Sequence, residues 1–303
     1  MYEIAVIGHI VIDEIEKGTF HSKAIGGAAT YSSLAAQSYG AQTLLISKIG
    51  TDFPNNMLSP LIEKRVDISC IKRVPSPTTK FKLIYENDTR NLFLIDCCDP
   101  ILPEDLCKKS FQAKVFHIGC VANEVPLSTI KTIRSKNKYI SLDVQGYIRK
   151  RDDKGKVLFT KWKEIKQFLK VVDIIHADFD EVKIITEAKT PTEAAEVLIN
   201  MGGNLVLITL GEKGSYIGTK EEGFFYIPAV KSVKNIDSTG AGDVYTVIFT
   251  LEYFNTYDVK WAGVVASAAA SFIVEFPGPL GFSSKNTIYK RAKTLLNQIK
   301  KVT

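Results

Sequence analysis

The chain has 303 residues, 45% hydrophobic and 24% charged, a length and balance that suit one large domain or a domain with a small appendage. The formal net charge of +6 is mild, and Lys and Arg are scattered apart from Arg149-Lys150-Arg151 and Lys300-Lys301, so solvated faces rather than nucleic-acid binding are expected. No apolar run reaches membrane-span length, and Met1 to Gly8 is not a basic-then-apolar leader, so a cytoplasmic protein with no membrane partner is expected.

Residues 3 to 8, Glu-Ile-Ala-Val-Ile-Gly, read as a buried strand ending in Gly, with Asp13 following where open α/β sheets bind ligands. On the residues alone Asp13 is either a turn residue or a ligand contact. Glu14 to Ala24, interrupted by Gly18, reads as a small hairpin. Ile25-Gly26-Gly27-Ala28-Ala29-Thr30-Tyr31 then leads into a small-residue helix, Ser32 to Tyr39, closed by Gly40; the Gly pair either makes a tight turn or lets a ligand approach the backbone. Two alternating runs, 80–85 and 91–95, are joined by Glu86-Asn87-Asp88-Thr89-Arg90 as a second hairpin. The two hairpins together, approximately 14–24 and 80–97, would form a small β-sheet lid inserted into a single domain spanning 1–303, and its edge could serve a homodimer.

From about residue 114 strands alternate with helices: 114–119, 139–144, 171–175 and 205–210 are apolar strands, the pattern of a parallel sheet covered on both faces. Gln145 to Arg149 follows one strand end, as a polar loop or as a ligand-facing edge. His176-Ala177-Asp178-Phe179-Asp180-Glu181 follows another, with three carboxylates that are either solvated or near a cation, and His176 is read as a packed strand-end residue. Thr209-Leu210-Gly211-Glu212-Lys213-Gly214 is by itself a turn. Trp261 to Val274 is an Ala-rich helix, 275–281 a rigid loop, and 285–303 an amphipathic terminal helix. The five cysteines (Cys70, Cys97, Cys98, Cys107, Cys120) include no C-x-x-C pair and are read as reduced thiols.

The most informative stretch is Asn235-Ile236-Asp237-Ser238-Thr239-Gly240-Ala241-Gly242-Asp243. Gly240, Ala241 and Gly242 let backbone N–H groups converge on one anion at a helix start. Asp243 beside them has the layout of a base that takes a hydroxyl proton while those N–H groups hold negative charge. Asp237-Ser238-Thr239-Gly240-Ala241-Gly242-Asp243 resembles the D-T-x-G-A-G-D signature of the ribokinase-like (PfkB) family of carbohydrate and nucleoside kinases. The Gly26-Gly27 segment resembles that family's G-G-x-x-x-N signature, with Tyr31 where the family has Asn.

The resemblance implies a three-layer α/β sandwich with a mostly parallel sheet and an inserted lid. It implies ATP with Mg²⁺ and a small sugar or polyol as substrates. Asp243 would be the general base and Gly240, Ala241 and Gly242 the anion hole. Asp13, Gly26, Gly27 and Tyr31 would face the acceptor; Asp178, Thr209, Gly211, Gly214 and Gly242 the nucleotide, with the loop 275–281 beside the adenine. Glu181 would hold Mg²⁺ through water, and Asp237 with Thr239 resembles a monovalent-cation (K⁺) site. Asp143 to Arg149 resembles the D-V-Q-G-x-x-R segment of the family's inositol kinase branch, making Gln145 and Arg149 candidates for polyol or phosphate and myo-inositol the first acceptor expected. Ribokinase, 2-keto-3-deoxygluconate kinase and nucleoside kinase activities are the alternatives, with a sugar- or nucleotide-binding regulator as the non-enzyme one. A dinucleotide-dependent oxidoreductase lacks its G-x-G-x-x-G after the first strand.

Overall fold

The structure is a computed structural model that describes residues 1–86, 89–231 and 236–302. Asn87 and Asp88 at the tip of the expected hairpin, and Asn235, lie outside them.

The main sheet has ten strands, in the order β16-β15-β14-β13-β12-β9-β8-β1-β4-β5. Seven are mutually parallel: β1 (Ile4–Ile7), β4 (Thr43–Gly50), β5 (Asp67–Val74), β8 (Val115–Ile118), β9 (Tyr139–Asp143), β12 (Ile174–Asp178) and β13 (Leu205–Thr209). The antiparallel strands β14 (Ser215–Thr219), β15 (Gly223–Ile227) and β16 (Lys300–Val302) extend one edge. Period-two alternation on β1 sends Ile4 and Val6 into one core and Ala5 and Ile7 into the other, so both faces are covered. One face carries α1 (Ala28–Tyr39), α2 (Ser59–Glu63), α8 (Ala241–Thr256), α9 (Val259–Ile273) and α10 (Lys285–Ala292). The other carries α3 (Leu127–Arg134), α4 (Gln145–Ile148), α5 (Ile165–Leu169), α6 (Phe179–Thr186) and α7 (Pro191–Asn200).

A separate four-stranded sheet, in the order β3-β2-β6-β7, is built from β2 (Val11–Lys17), β3 (Phe20–Gly26), β6 (Lys80–Glu86) and β7 (Thr89–Asp96). This is the expected lid, begun three residues earlier because the alternation already starts at Val11, whose side chain packs with Phe81, Leu83 and Val121. Asp13 therefore lies within a lid strand rather than in a turn. A short hairpin, β10 (Arg149–Arg151) and β11 (Val157–Phe159), rises from the body to the β7 edge. There the Leu94 amide donates to the Gly155 carbonyl at 2.8 Å.

Four expectations need correction. The strand expected at 171–175 lies at Ile174–Asp178; the Val172 amide still donates to the Phe168 carbonyl at 3.1 Å, so Val171 and Val172 finish the turn out of α5. Gln145 to Ile148 is a short helix, not a loop. The terminal helix tightens after Ala292 into a 3-10 helix, Lys293–Gln298, and only the last residues depart from the expected helix: Lys300–Val302 pair with β15 as an edge strand, a position that tolerates charge. The cysteines are not all reduced: Cys70 on β5 and Cys107 are joined by a disulfide, their Cα atoms 6.2 Å apart, within bonding reach, while Cys97, Cys98 and Cys120 are free.

Candidate active site

A cavity of about 1080 Å³ opens over the C-terminal ends of the parallel strands, roofed by the lid sheet. Of the residues marked out in the sequence, all but Gly26 and Asp237 line it. Gly26 acts from behind, since a Cβ there would come 1.8 Å from Oδ2 of Asp13. Only Gly lets that carboxylate lie against the backbone.

The floor is the turn into α8. Gly240, its N-cap, has φ +79°, and a Cβ there would come 2.1 Å from Cδ1 of Tyr31. Tyr31, buried on α1, thus joins the two glycine signatures, and its ring also meets Phe282 edge-on at 6.4 Å. Gly27, with φ +93°, caps α1. The Ala241 amide donates to the Ser238 carbonyl at 3.2 Å, so of the expected Gly240, Ala241 and Gly242 hole the Ala241 donor is taken, and the α8 amides left for an anion are those of Gly242 and Asp243.

Asp243 opens to the cavity from the first turn of α8. Gln145 Nε2 donates to its Oδ1 at 3.1 Å, and Arg149 Nη2 donates to Gln145 Oε1 at 2.7 Å. Gln145 and Arg149 are thus brought to the base itself. Arg149 Nε is a buried donor without a partner, an orphan consistent with an anionic or hydroxylated ligand. Enclosure of the Asp243 carboxyl, then the charge of Asp143, push its pKa up to about 7, against the opposing pull of His176, Arg149 and Gln145. Burial and Asp143 likewise push Glu181 up to about 7.

His176 is more than packing. On β12 it lies in register with Asp143 of β9, with Nδ1 2.7 Å from Asp143 Oδ2 and Nε2 3.1 Å from Thr209 Oγ1. Neither Asp143 nor His176 was marked as functional in the sequence; the cue was that both are polar residues at the ends of buried strands.

On the donor side, Thr209 ends β13, and Gly211 (φ +56°) and Gly214 (φ +88°) shape the turn after it. Asp178 caps α6, accepting from the Asp180 amide at 2.9 Å, while Glu181 accepts from the Asp178 amide at 3.0 Å. Among the described residues no three His, Cys, Asp or Glu side chains form a metal cage. A cation held mainly by phosphate oxygens, with Glu181 reaching it through water, fits that donor set. Asp237 bridges two loops, accepting from the Thr239 amide at 2.9 Å and the Gly278 amide at 3.1 Å. The loop 275–281, expected beside the adenine, does not line the cavity; Ser267, Ala270, Ser271 and Val274 of α9 and the residue after it form that wall. Val11, Phe81, Leu83, Leu92, Val121 and Phe159 make the lid end strongly apolar, which sequence reading missed because these positions looked like ordinary alternating strand residues.

The family model of the pfkB family carbohydrate kinases matches residues 1–285. The chain belongs to this family. A cytidine kinase of Thermococcus kodakarensis is 30% identical over 269 residues, 84% of this chain and 89% of that protein. In fold, Arabidopsis thaliana ribokinase complexed with ribose and ATP superposes with TM-score 0.81 at 18% identity, covering 96% of this chain and 99% of the other. A pyrophosphate-dependent kinase of the ribokinase family, complexed with a pyrophosphate analog and myo-inositol, gives TM-score 0.78 at 23% identity over 91% and 97% of the two chains. The lid, the parallel sheet and the Gly-Ala-Gly-Asp helix start are therefore those of a pfkB-family kinase, an ATP-dependent enzyme of the carbohydrate and nucleoside kinase class. Among the described residues no helix is long and apolar enough to cross a membrane.

Proposed function

We propose that the chain transfers the γ-phosphoryl group of ATP to a hydroxyl of a small polyhydroxy acceptor, with Asp243 as the general base. The observation that carries this reading is the Asp243 carboxyl beside the free amides of α8, with its pKa pushed up to about 7. A base so poised takes the acceptor's proton as the oxygen attacks, while the amides of Gly242 and Asp243 hold the charge that develops on the phosphoryl group. Gln145 orients the carboxylate, and Arg149 braces Gln145 from behind. Asp13, its carboxylate lying against the Gly26 backbone, binds acceptor hydroxyls. Thr209, Gly211, Gly214 and Asp178 line the donor side, where Glu181 would hold Mg²⁺ through water and the ion would supply charge neutralisation for the phosphates.

The apolar lid end favours an acceptor with one flat unhydroxylated face, so we take a nucleoside, phosphorylated on its sugar, as the first substrate to test; the cytidine kinase relative agrees with this. A cyclic polyol such as myo-inositol is the second reading, favoured by the Gln145 and Arg149 donors near the base. The deciding experiment is a phosphorylation screen of nucleosides, ribose, keto-deoxy sugar acids and myo-inositol, each with ATP and with pyrophosphate. Turnover of a nucleoside with ATP is expected. Turnover confined to inositol would transfer the assignment to the second reading, and none with any acceptor would remove both. Replacing K⁺ by a bulky organic cation in the same assay tests the Asp237 and Thr239 cation site; unchanged rates would remove it.

A further inference from the structure

We propose that His176 is a positioning residue that joins the two halves of the transfer. Its Nδ1 fixes Asp143, and through it Gln145, behind the base, while its Nε2 turns the Thr209 hydroxyl toward the donor. This rests on the reading of Asp243 as the base.

The connection is a continuous path of hydrogen bonds. Thr209 Oγ1 lies 3.1 Å from His176 Nε2, and His176 Nδ1 lies 2.7 Å from Asp143 Oδ2. Asp143 Oδ1 accepts from the Gln145 backbone amide at 2.8 Å, and the Gln145 side chain reaches Asp243. Strand register builds this path: His176 of β12 stands opposite Asp143 of β9, and Asp178 two residues on stands opposite Thr209 of β13. The imidazole is 3% exposed and lies directly beneath the anion turn, where a Cβ on Gly242 would come 3.3 Å from its Cε1.

The chemistry of the two ring nitrogens gives the path a direction. A carboxylate only accepts, so Nδ1 carries a proton and donates to Asp143. Burial alone would push the imidazole pKa down, but Asp143, with Glu181 and Asp178 beyond it, more than offsets that and raises it. The other titratable neighbours are Asp243 on α8 and His117 on β8, the latter kept neutral because burial lowers its pKa to about 4. When the ring carries a proton on Nε2 as well, that nitrogen donates to Thr209 Oγ1. The Thr209 hydroxyl proton is then released from the histidine and free to point into the cavity, toward an anionic donor. A neutral ring would instead capture that proton.

Two half-replacements separate the arms. His176→Asn keeps an amide within reach of Asp143 and gives up Thr209; the KM for ATP should rise roughly fivefold or more, with kcat within about twofold of wild type. His176→Gln reaches Thr209 and gives up Asp143; kcat should fall about tenfold with the ATP KM nearly unchanged. Thr209→Val should match the first variant and add nothing to it in the double variant. If both histidine variants shift kcat and KM alike, or if the Thr209 and His176→Asn effects add fully, the inference is overturned. The unsubstituted protein supplies a further arm that needs neither turnover nor a variant. Its ¹⁵N imidazole shifts should show a proton on Nδ1 of His176, the nitrogen that faces Asp143, at pH 7, and an unprotonated Nδ1 would overturn the proposal. Because this arm is independent of phosphorylation, its failure and a failure of the kinase reading are told apart.

Discussion

Helix α8 carries two enclosed carboxylates nine residues apart, and they have opposite environments. Near its last turn, Glu252 has no exposed surface and accepts from the hydroxyls of Tyr39 and Tyr289 and, at 2.9 Å, from Trp261 Nε1, with Lys285 Nζ at 3.4 Å. Burial alone would raise its pKa, but those bonds and the Lys285 charge more than offset it and hold it below the usual carboxylate range. At the first turn, Asp243 has among the described residues one donor to its carboxylate, Gln145, and is pushed up to about 7. The same helix thus holds one carboxylate whose charge is satisfied and one whose charge is left wanting a proton. Satisfaction ties α1, α8, α9 and α10 together; its absence makes a base.

The sharpest way to test the contrast is to neutralise each carboxylate in turn. Asp243→Asn should lower turnover by about 10²- to 10⁴-fold, the range for a lost general base, and leave ATP binding by calorimetry nearly intact. The same change should not lower the melting temperature, because it removes a carboxylate whose ionised form the fold disfavours. Glu252→Gln should do the reverse, leaving kinetics unchanged and lowering stability by about 3 kcal/mol, since Lys285 and three hydrogen bonds lose their charged partner. Near-normal turnover in Asp243→Asn, or unchanged denaturant unfolding in Glu252→Gln, would remove the distinction.

pH is a milder perturbation, and here the two residues should separate by sign. Since Asp243 acts unprotonated, kcat/KM should climb as pH passes through about 7 and fall about tenfold per unit below it. For stability, a raised folded-state pKa means that the folded protein binds the proton more tightly than the unfolded chain. The Asp243 contribution is therefore fully present below the ordinary aspartate value of 3.8 and lost as pH rises through about 7. Glu252 is the mirror case: its contribution is present above 4.5 and lost as pH falls through its lowered folded value. Melting profiles of both variants should accordingly meet wild type in acid and part from it as pH rises, Asp243→Asn lying above wild type and Glu252→Gln below it.

How much of this was legible in the sequence follows from the range of the interactions. The strands at 4–7 and 205–209, the helix that ends at Tyr39 and both lid hairpins announce themselves by periodicity and by Gly at their ends, which are local signals, although that helix starts four residues earlier, at Ala28, than the small-residue run alone marks. The anion turn is legible because small residues and an Asp sit side by side. The partners that tune the Asp are not, since Gln145 lies 98 positions from Asp243, and Asp143 lies 33 from His176. The strand at 174–178 was misplaced because its functional end is polar, and an apolar run just before it mimics a strand. Cys70 and Cys107, 37 positions apart, meet only because β5 lies beside the segment that leads into β8. The terminal strand escaped notice because an edge strand rich in Lys has no hydrophobic pattern to read.

The smallest effect tests whether partner number is the cause of the contrast. Tyr39→Phe removes one of the donors to Glu252 and leaves Tyr289, Trp261 and Lys285 in place. Gln145→Met removes the one hydrogen bond found to the Asp243 carboxylate, with little change of volume. If redundancy protects Glu252, Tyr39→Phe should cost only about 1 kcal/mol, a shift in melting temperature of about 2 °C, with the acid limb of stability unmoved. The Asp243 acid limb in kcat/KM should in contrast move upward in Gln145→Met, because a bond that favours the ionised form has gone. An acid limb that stays in place in Gln145→Met would mean that the Asp143 and His176 charges alone set the base, and the contrast along α8 would then rest on buried charge rather than on hydrogen-bond count.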